Sequence, residues 1–190
     1  MNDLTRPASF GVPASISIRD AQPRDAAAIA EIYNEGILGR GATFETSERT
    51  AGDVMRWFTS PTNVARPFLV AERGGEVVGW VRASEYRARA CYDGVAEVSA
   101  YVAASARGQR VGDALMGRFV IACGECGIWK ILSRVFPENT ASRALCARQI
   151  YESLRLEIDA FRQLPGVEIV PSRAFKTWLP QQVKTSADLS

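Results

Sequence analysis

Between residues 95 and 125 the chain changes its hydrophobic period across a short glycine-containing loop, and this switch narrows the folds open to it more than any other feature. From Val95 to Val102 the side chains alternate. Val95, Glu97, Ser99 and Tyr101 share one face, and Ala96, Val98, Ala100 and Val102 share the other. From Val111 the repeat lengthens, placing Val111, Leu115, Phe119, Ala122 and Cys126 on one helical stripe. A strand that feeds a helix through ARGQRVG is a building unit of an α/β sheet.

The flanking segments supply the rest of such a sheet. Residues 15–20 alternate as a strand, Pro23 opens a helix through DAAAIAEIYNEG with Asp25 near its positive end, and Gly36 reads as the stop. A second helical stretch lies around 53–58, and FLVAE and EVVGWVRAS flank Arg73-Gly74-Gly75 as a hairpin. Further on, the pattern predicts a strand over 129–136, a helix from 141 to about 152, and a last hairpin pairing 157–162 with 167–170 around Leu164-Pro165-Gly166. The order predicts an α/β fold with helices on both faces of the sheet, in one domain over 15–180, between tails at 1–14 and 181–190.

Composition removes whole classes of chemistry. The chain has no histidine, which excludes Ser-His-Asp and Cys-His nucleophilic sites and His-based zinc or iron centres. General-base work must fall to a carboxylate. Lys and Arg number 23 against 21 Asp and Glu, a formal charge of +2 spread along the chain, without the concentrated cationic surface that nucleic acid requires. No apolar run reaches the about 18 residues of a membrane helix, and MNDLTRPASFGVPAS lacks the apolar centre of a signal peptide. A cytoplasmic address with no membrane partner is therefore expected. Cys123 and Cys126 have the spacing of a redox centre or half a zinc site, but no second CxxC completes a ligand set. With Cys91 and Cys146 they read as free thiols, and no metal is expected.

Two features carry chemistry. Gly108 and Gly112, with Arg107, Gln109 and Arg110, lie where a strand passes into a helix. Backbone N–H groups at a helix start, with arginines beside them, make an anion site that fits a pyrophosphate, although Gly and Arg are also ordinary in surface loops. The second is Glu97, a carboxylate midway along an otherwise apolar strand. It is either an edge carboxylate, solvated or paired with Arg87 or Arg89, or a base placed to take a proton from a substrate ammonium.

VAEVSAYVAASARGQRVGDALM, in this order of elements, resembles the GNAT acetyltransferases, whose pyrophosphate loop reads Arg or Gln, two residues, Gly, one residue, Gly or Ala. IYNEGI, GATFE, YRARACYDGVAEVSAYV and WKILSRVFPENTASRAL resemble the phosphinothricin, methionine sulfoximine and arsinothricin N-acetyltransferases within that superfamily. The likeness runs from about Ile16 to Cys146. It implies a central mixed, mostly antiparallel sheet with strands splayed around acetyl-CoA, a small-molecule amine substrate and a homodimer. Glu97 then matches the general base. Tyr101 and Val102 match the strand end beside the thioester, Arg107, Gly108, Gln109, Arg110, Val111 and Gly112 match the pyrophosphate loop, and Asn139 and Ser142 match later cofactor contacts. Phe44, Arg87, Arg89 and Tyr92 match positions lining an amino-acid pocket.

Departures from the family pattern are equally specific. Arg110 stands where the loop usually has its second Gly, and Cys146 stands where relatives often carry His or Tyr for the departing thiolate, a role for which Tyr151 is an alternative. After Cys146 the family's Leu-Gly-Phe and Trp-Arg-Asp are missing, which makes 144–180 atypical. The function expected is acetylation of the primary amine of a small acidic, amino-acid-like substrate, with resistance or detoxification as its consequence. The alternatives are a peptide N-terminal or polyamine acetyltransferase, and a catalytically weak acyl-CoA-binding protein.

Overall fold

Among the described residues five strands lie side by side in chain order: β1 (Ser17–Asp20), β2 (Phe68–Arg73), β3 (Glu76–Glu85), β4 (Val95–Val102) and β5 (Lys130–Leu132). The structure, a computed structural model, describes residues 15–62 and 65–149. The first four strands are antiparallel, and β5 joins β4 in parallel, pairing Val95 with Lys130 and Glu97 with Leu132. The sheet is thus mixed and mostly antiparallel. Among the described residues four helices accompany it: α1 (Ala26–Leu38), α2 (Ala51–Thr59), α3 (Val111–Glu125) and α4, which begins at 140 and continues through 149.

Alternation along the strands builds a different core on each face. Val81, Ala83, Ala96 and Val98 pack with Val111, Leu115 and Phe119 of α3. On the other face Val70 and Trp80 pack with Ile29 and Ile32 of α1 and Val54 of α2. Trp80 and Phe119, each 1% exposed or less, are the largest fully buried side chains in the two layers. Burying a side chain of this size stabilises the fold by roughly 1.5–3 kcal/mol. A charged clasp fixes α1 to the sheet edge. Arg19 of β1 donates to both carboxylate oxygens of Asp25, at 2.7 and 2.9 Å, and the Gln22 backbone N–H donates to the same carboxylate at 2.8 Å. These bonds hold the buried Asp25 carboxyl below its ordinary range despite its desolvation.

Three local expectations are corrected. Gly36 does not stop α1, which continues to Leu38 and ends at Gly39. A Cβ on Gly36 would stand 2.8 Å from the Tyr101 ring, so this glycine serves a close approach of helix to sheet. β5 pairs only over Lys130–Leu132, because residues 133–136 leave the sheet where β4 runs on to Val102. Cys126 lies just past the end of α3 and is exposed, and Cys123 takes the buried place at that end of the stripe. The tail at 1–14, the hairpin over 157–170, Tyr151 and the tail at 181–190 lie outside the described residues.

Candidate active site

The early departure of β5 opens one edge of β4. The Ala103 N–H donates to Val78 O at 3.0 Å, so by alternation the peptide groups of Tyr101 and Ser99 also face β3. Those of Ala100 and Val102 therefore face the side that β5 has left. Two cavities lie along this gap and share Ala42, Ala100, Tyr101, Asn139, Ser142 and Leu145 in their walls.

The larger cavity, about 670 Å³, ends at the loop between β4 and α3. Val102, Arg107, Gly108, Arg110, Val111 and Gly112 line it, with Glu35 of α1 opposite and Arg148 of α4 beyond. Gly108 takes φ 73°, and Arg110, the residue before α3, takes φ 62°. An L side chain in this left-handed region costs about 1–2 kcal/mol, which explains why glycine is the usual occupant. In return the turn aims the first N–H groups of α3 at the cavity mouth, where a phosphate is favoured. Glu35 currently uses two of the local donors: its carboxylate accepts from the Ala104 N–H at 2.7 Å and from Arg107 at 3.2 Å. Arg107 also donates to Val102 O at 3.1 Å. Gln109 lines neither cavity but braces the loop, accepting from Arg73 at 2.6 Å and donating to Ser105 O at 2.9 Å.

The second cavity, about 520 Å³, is of a size for a small molecule. Its floor is the polar face of β4 and β3: Glu97, Ser99, Tyr101 and Ser84. Phe44 and Phe136 meet at 4.2 Å between ring centroids, and Cys146 lines the wall. Glu97 is about one quarter exposed and accepts a hydrogen bond from Arg134, whose side chain is 70% exposed. Tyr101, between the cavities, stacks on Trp80 at 4.9 Å and donates to Ala42 O at 3.2 Å. Burial pushes its hydroxyl up to about 12, so it stays a neutral donor at physiological pH. Asn139 closes the roof. Its amide donates to Gly41 O at 3.2 Å, and its Oδ1 accepts from the Ser142 N–H at 3.0 Å as the cap of α4.

The structure thus brings Glu97, Phe44, Tyr101, Cys146, Asn139 and Ser142 together around the second cavity. Arg87, Arg89 and Tyr92 do not line it. Arg87 lies over the Tyr86 and Tyr92 rings, at 5.2 and 5.8 Å, and both arginines are exposed around the single-turn 3₁₀ helix Ala90–Tyr92. Glu97 pairs with neither of them. Sequence reasoning missed Arg134 and Glu35. The only signals were their places in SRVFPEN and IYNEGI, since both contacts span distant parts of the chain. Among the described residues no three His, Cys, Asp or Glu side chains converge as a metal site, and no helix is long and apolar enough to cross a membrane.

The chain is similar to known proteins over most of its length. The profile of the Acetyltransferase (GNAT) family matches residues 28–150. The L-amino acid N-acyltransferase MnaT of Escherichia coli K12 is 30% identical over 164 residues, 86% of this chain and 89% of that protein. The phosphinothricin N-acetyltransferase of Alcaligenes faecalis is 32% identical over 133 residues, 69% of this chain and 67% of its own length. Among solved structures, a GNAT superfamily phosphinothricin acetyltransferase from Sinorhizobium meliloti in complex with AcCoA superposes with a TM-score of 0.66 and is 30% identical, covering 70% of this chain and 73% of that one.

Proposed function

Because the chain belongs to the acetyltransferase (GNAT) family and is an N-acetyltransferase, we propose that it acetylates the primary amine of a small acidic, amino-acid-like substrate of the phosphinothricin, methionine sulfoximine or arsinothricin type. The observation that carries this reading is the meeting of the two cavities at Ala100 and Tyr101, with an anion-accepting loop at one end and a carboxylate–guanidinium pair at the other. Acetyl-CoA suits the larger cavity: Gly108, Arg110 and the start of α3 offer donors to a pyrophosphate, and the free edge of β4 offers the peptide groups of Ala100 and Val102 to an extended amide chain. When bound, it supplies an activated acyl carbon that only an unprotonated amine attacks.

The residues of the chain set up that attack. Glu97 takes one proton from the substrate ammonium, which leaves the nitrogen lone pair free. Its place on β4, three residues before Ala100, puts the base on the same strand as the edge that receives the acyl chain. Tyr101 holds the wall between the two ligands, and the Phe44–Phe136 ring pair gives that mouth of the cavity an apolar wall on which the substrate's carbon chain can rest. Cys146 supplies a thiol in the wall where relatives often place His or Tyr. A homodimer in the cytoplasm, protecting the cell by detoxification, completes the proposal.

Thiol release from acetyl-CoA, measured against phosphinothricin, methionine sulfoximine, arsinothricin, polyamines and short peptides, tests the reading. The acidic amino acids should give the highest kcat/KM. A preference for polyamines or peptides overturns the substrate class, and absence of turnover above thioester hydrolysis overturns the enzyme.

A further inference from the structure

We propose that Arg134 is the residue that reads the acid group of the amine substrate, and that the substrate's acid takes this guanidinium over from Glu97 as it binds. The inference rests on the acidic amino-acid reading above and assigns the recognition to a particular side chain.

Arg134 is the one Lys or Arg among the described residues lining the 520 Å³ cavity. The other charged groups there are Glu97 and Glu45, and Glu45 is already paired with Arg49 at 2.7 Å. An acid entering this space therefore meets a single cation among the described residues. Arg134 lies on the stretch that leaves the sheet just after Leu132, the partner of Glu97 in the β4–β5 pairing, so it is carried to the Glu97 carboxylate by the topology itself. Among the described residues the guanidinium is bound at one end only, through one nitrogen on one carboxylate oxygen, and its side chain is 70% exposed. Donors remain for a carboxylate, phosphinate or arsonate, which a guanidinium binds through two parallel hydrogen bonds.

In the free protein the pair satisfies both charges. An amino acid carries a matching pair of opposite charges, an ammonium and an acid, so it can replace each partner by its own: acid to Arg134, ammonium to Glu97. The exchange keeps every charge paired, and it brings the ammonium to the base only when an acid is present to occupy Arg134. A polyamine cannot make this exchange, because Arg134 repels it and stays on Glu97.

The test compares the wild type with Arg134→Ala and Arg134→Lys, using phosphinothricin and a neutral derivative in which both of its acid groups, the carboxylate and the phosphinate, are masked as amide and ester. Arg134→Ala should raise KM for phosphinothricin by about 10- to 100-fold, leave KM for acetyl-CoA within about twofold, and leave or lower KM for the neutral derivative. Arg134→Lys should restore part of the loss, since it keeps the charge without the fork. Melting curves check that the exposed substitution leaves the fold intact. An unchanged phosphinothricin KM in Arg134→Ala, or equal losses for the acid and its neutral derivative, overturns the assignment while the acid-acetylating activity stands. A rise in Arg89→Ala with none in Arg134→Ala moves the role to the Arg87 and Arg89 loop. If the wild type shows no preference for the acid over its neutral derivative, the substrate reading itself falls and Arg134 with it.

Discussion

Gly36→Ala sets two known quantities against each other. Replacing a helical glycine with alanine normally stabilises a helix by about 1 kcal/mol. Here the added Cβ would stand 2.8 and 3.0 Å from two carbons of the Tyr101 ring, against the about 3.5 Å of an ordinary carbon contact. The ring must retreat by about 0.7 Å to restore that distance. It has little freedom to do so, because it stacks on Trp80 at 4.9 Å, meets Tyr33 edge-on at 4.8 Å and is tied through its hydroxyl to Ala42 O. Overpacking of this kind costs about 1–3 kcal/mol, so the net effect is a destabilisation of about 1 kcal/mol and a melting temperature lower by about 2–4 °C. Tyr101 also lines both cavities, so KM for acetyl-CoA should rise several-fold. Differential scanning fluorimetry with steady-state kinetics measures both. A melting temperature raised by the propensity gain, with an unchanged KM, would refute the claim that Gly36 exists for Tyr101.

Arg110→Gly should relieve the left-handed strain, worth about 1 kcal/mol, and raise the melting temperature by about 2–4 °C, while the loss of a cation beside the loop weakens acetyl-CoA binding; calorimetric titration alongside the melt reads both. Asp25→Ala breaks a buried, doubly hydrogen-bonded pair and should cost about 3 kcal/mol in urea unfolding. The folded-state pKa of Asp25 is depressed, so its contribution is complete above the ordinary value of 3.8 and is lost as pH falls through the lower folded value. The wild type should therefore lose its stability advantage over Asp25→Ala below about pH 4, and an advantage constant down to about pH 2 would contradict the pairing.

The parts of the fold visible in the sequence are those governed by local period. The alternation of β4, the longer repeat of α3 and the Gly74-Gly75 turn each report their own backbone, and the strands and helix formed there. What the sequence hid depends on partners far along the chain. Gly36 resembles a helix stop until Tyr101, 65 positions later, is seen against it. The segment 129–136 reads as one strand, yet it pairs with β4 only as far as Leu132. The same holds for charge. Arg87 and Arg89 stand nearer Glu97 in sequence than Arg134 does, but Arg87 lies over the Tyr86 and Tyr92 rings and Arg89 leads into the 3₁₀ turn, both outside the cavity, and parallel pairing delivers Arg134 to it.

The account depends most on Glu97 as the group that frees the amine. Glu97→Gln keeps the shape of the side chain and removes the proton acceptor, so kcat measured by thiol release at neutral pH should fall by roughly 10²-fold or more while acetyl-CoA binding stays as in the wild type. The loss should shrink at high pH, where the amine arrives already deprotonated. A Glu97→Gln enzyme that turns over at the wild-type rate at neutral pH would reduce Glu97 to a structural partner of Arg134 and contradict the mechanism.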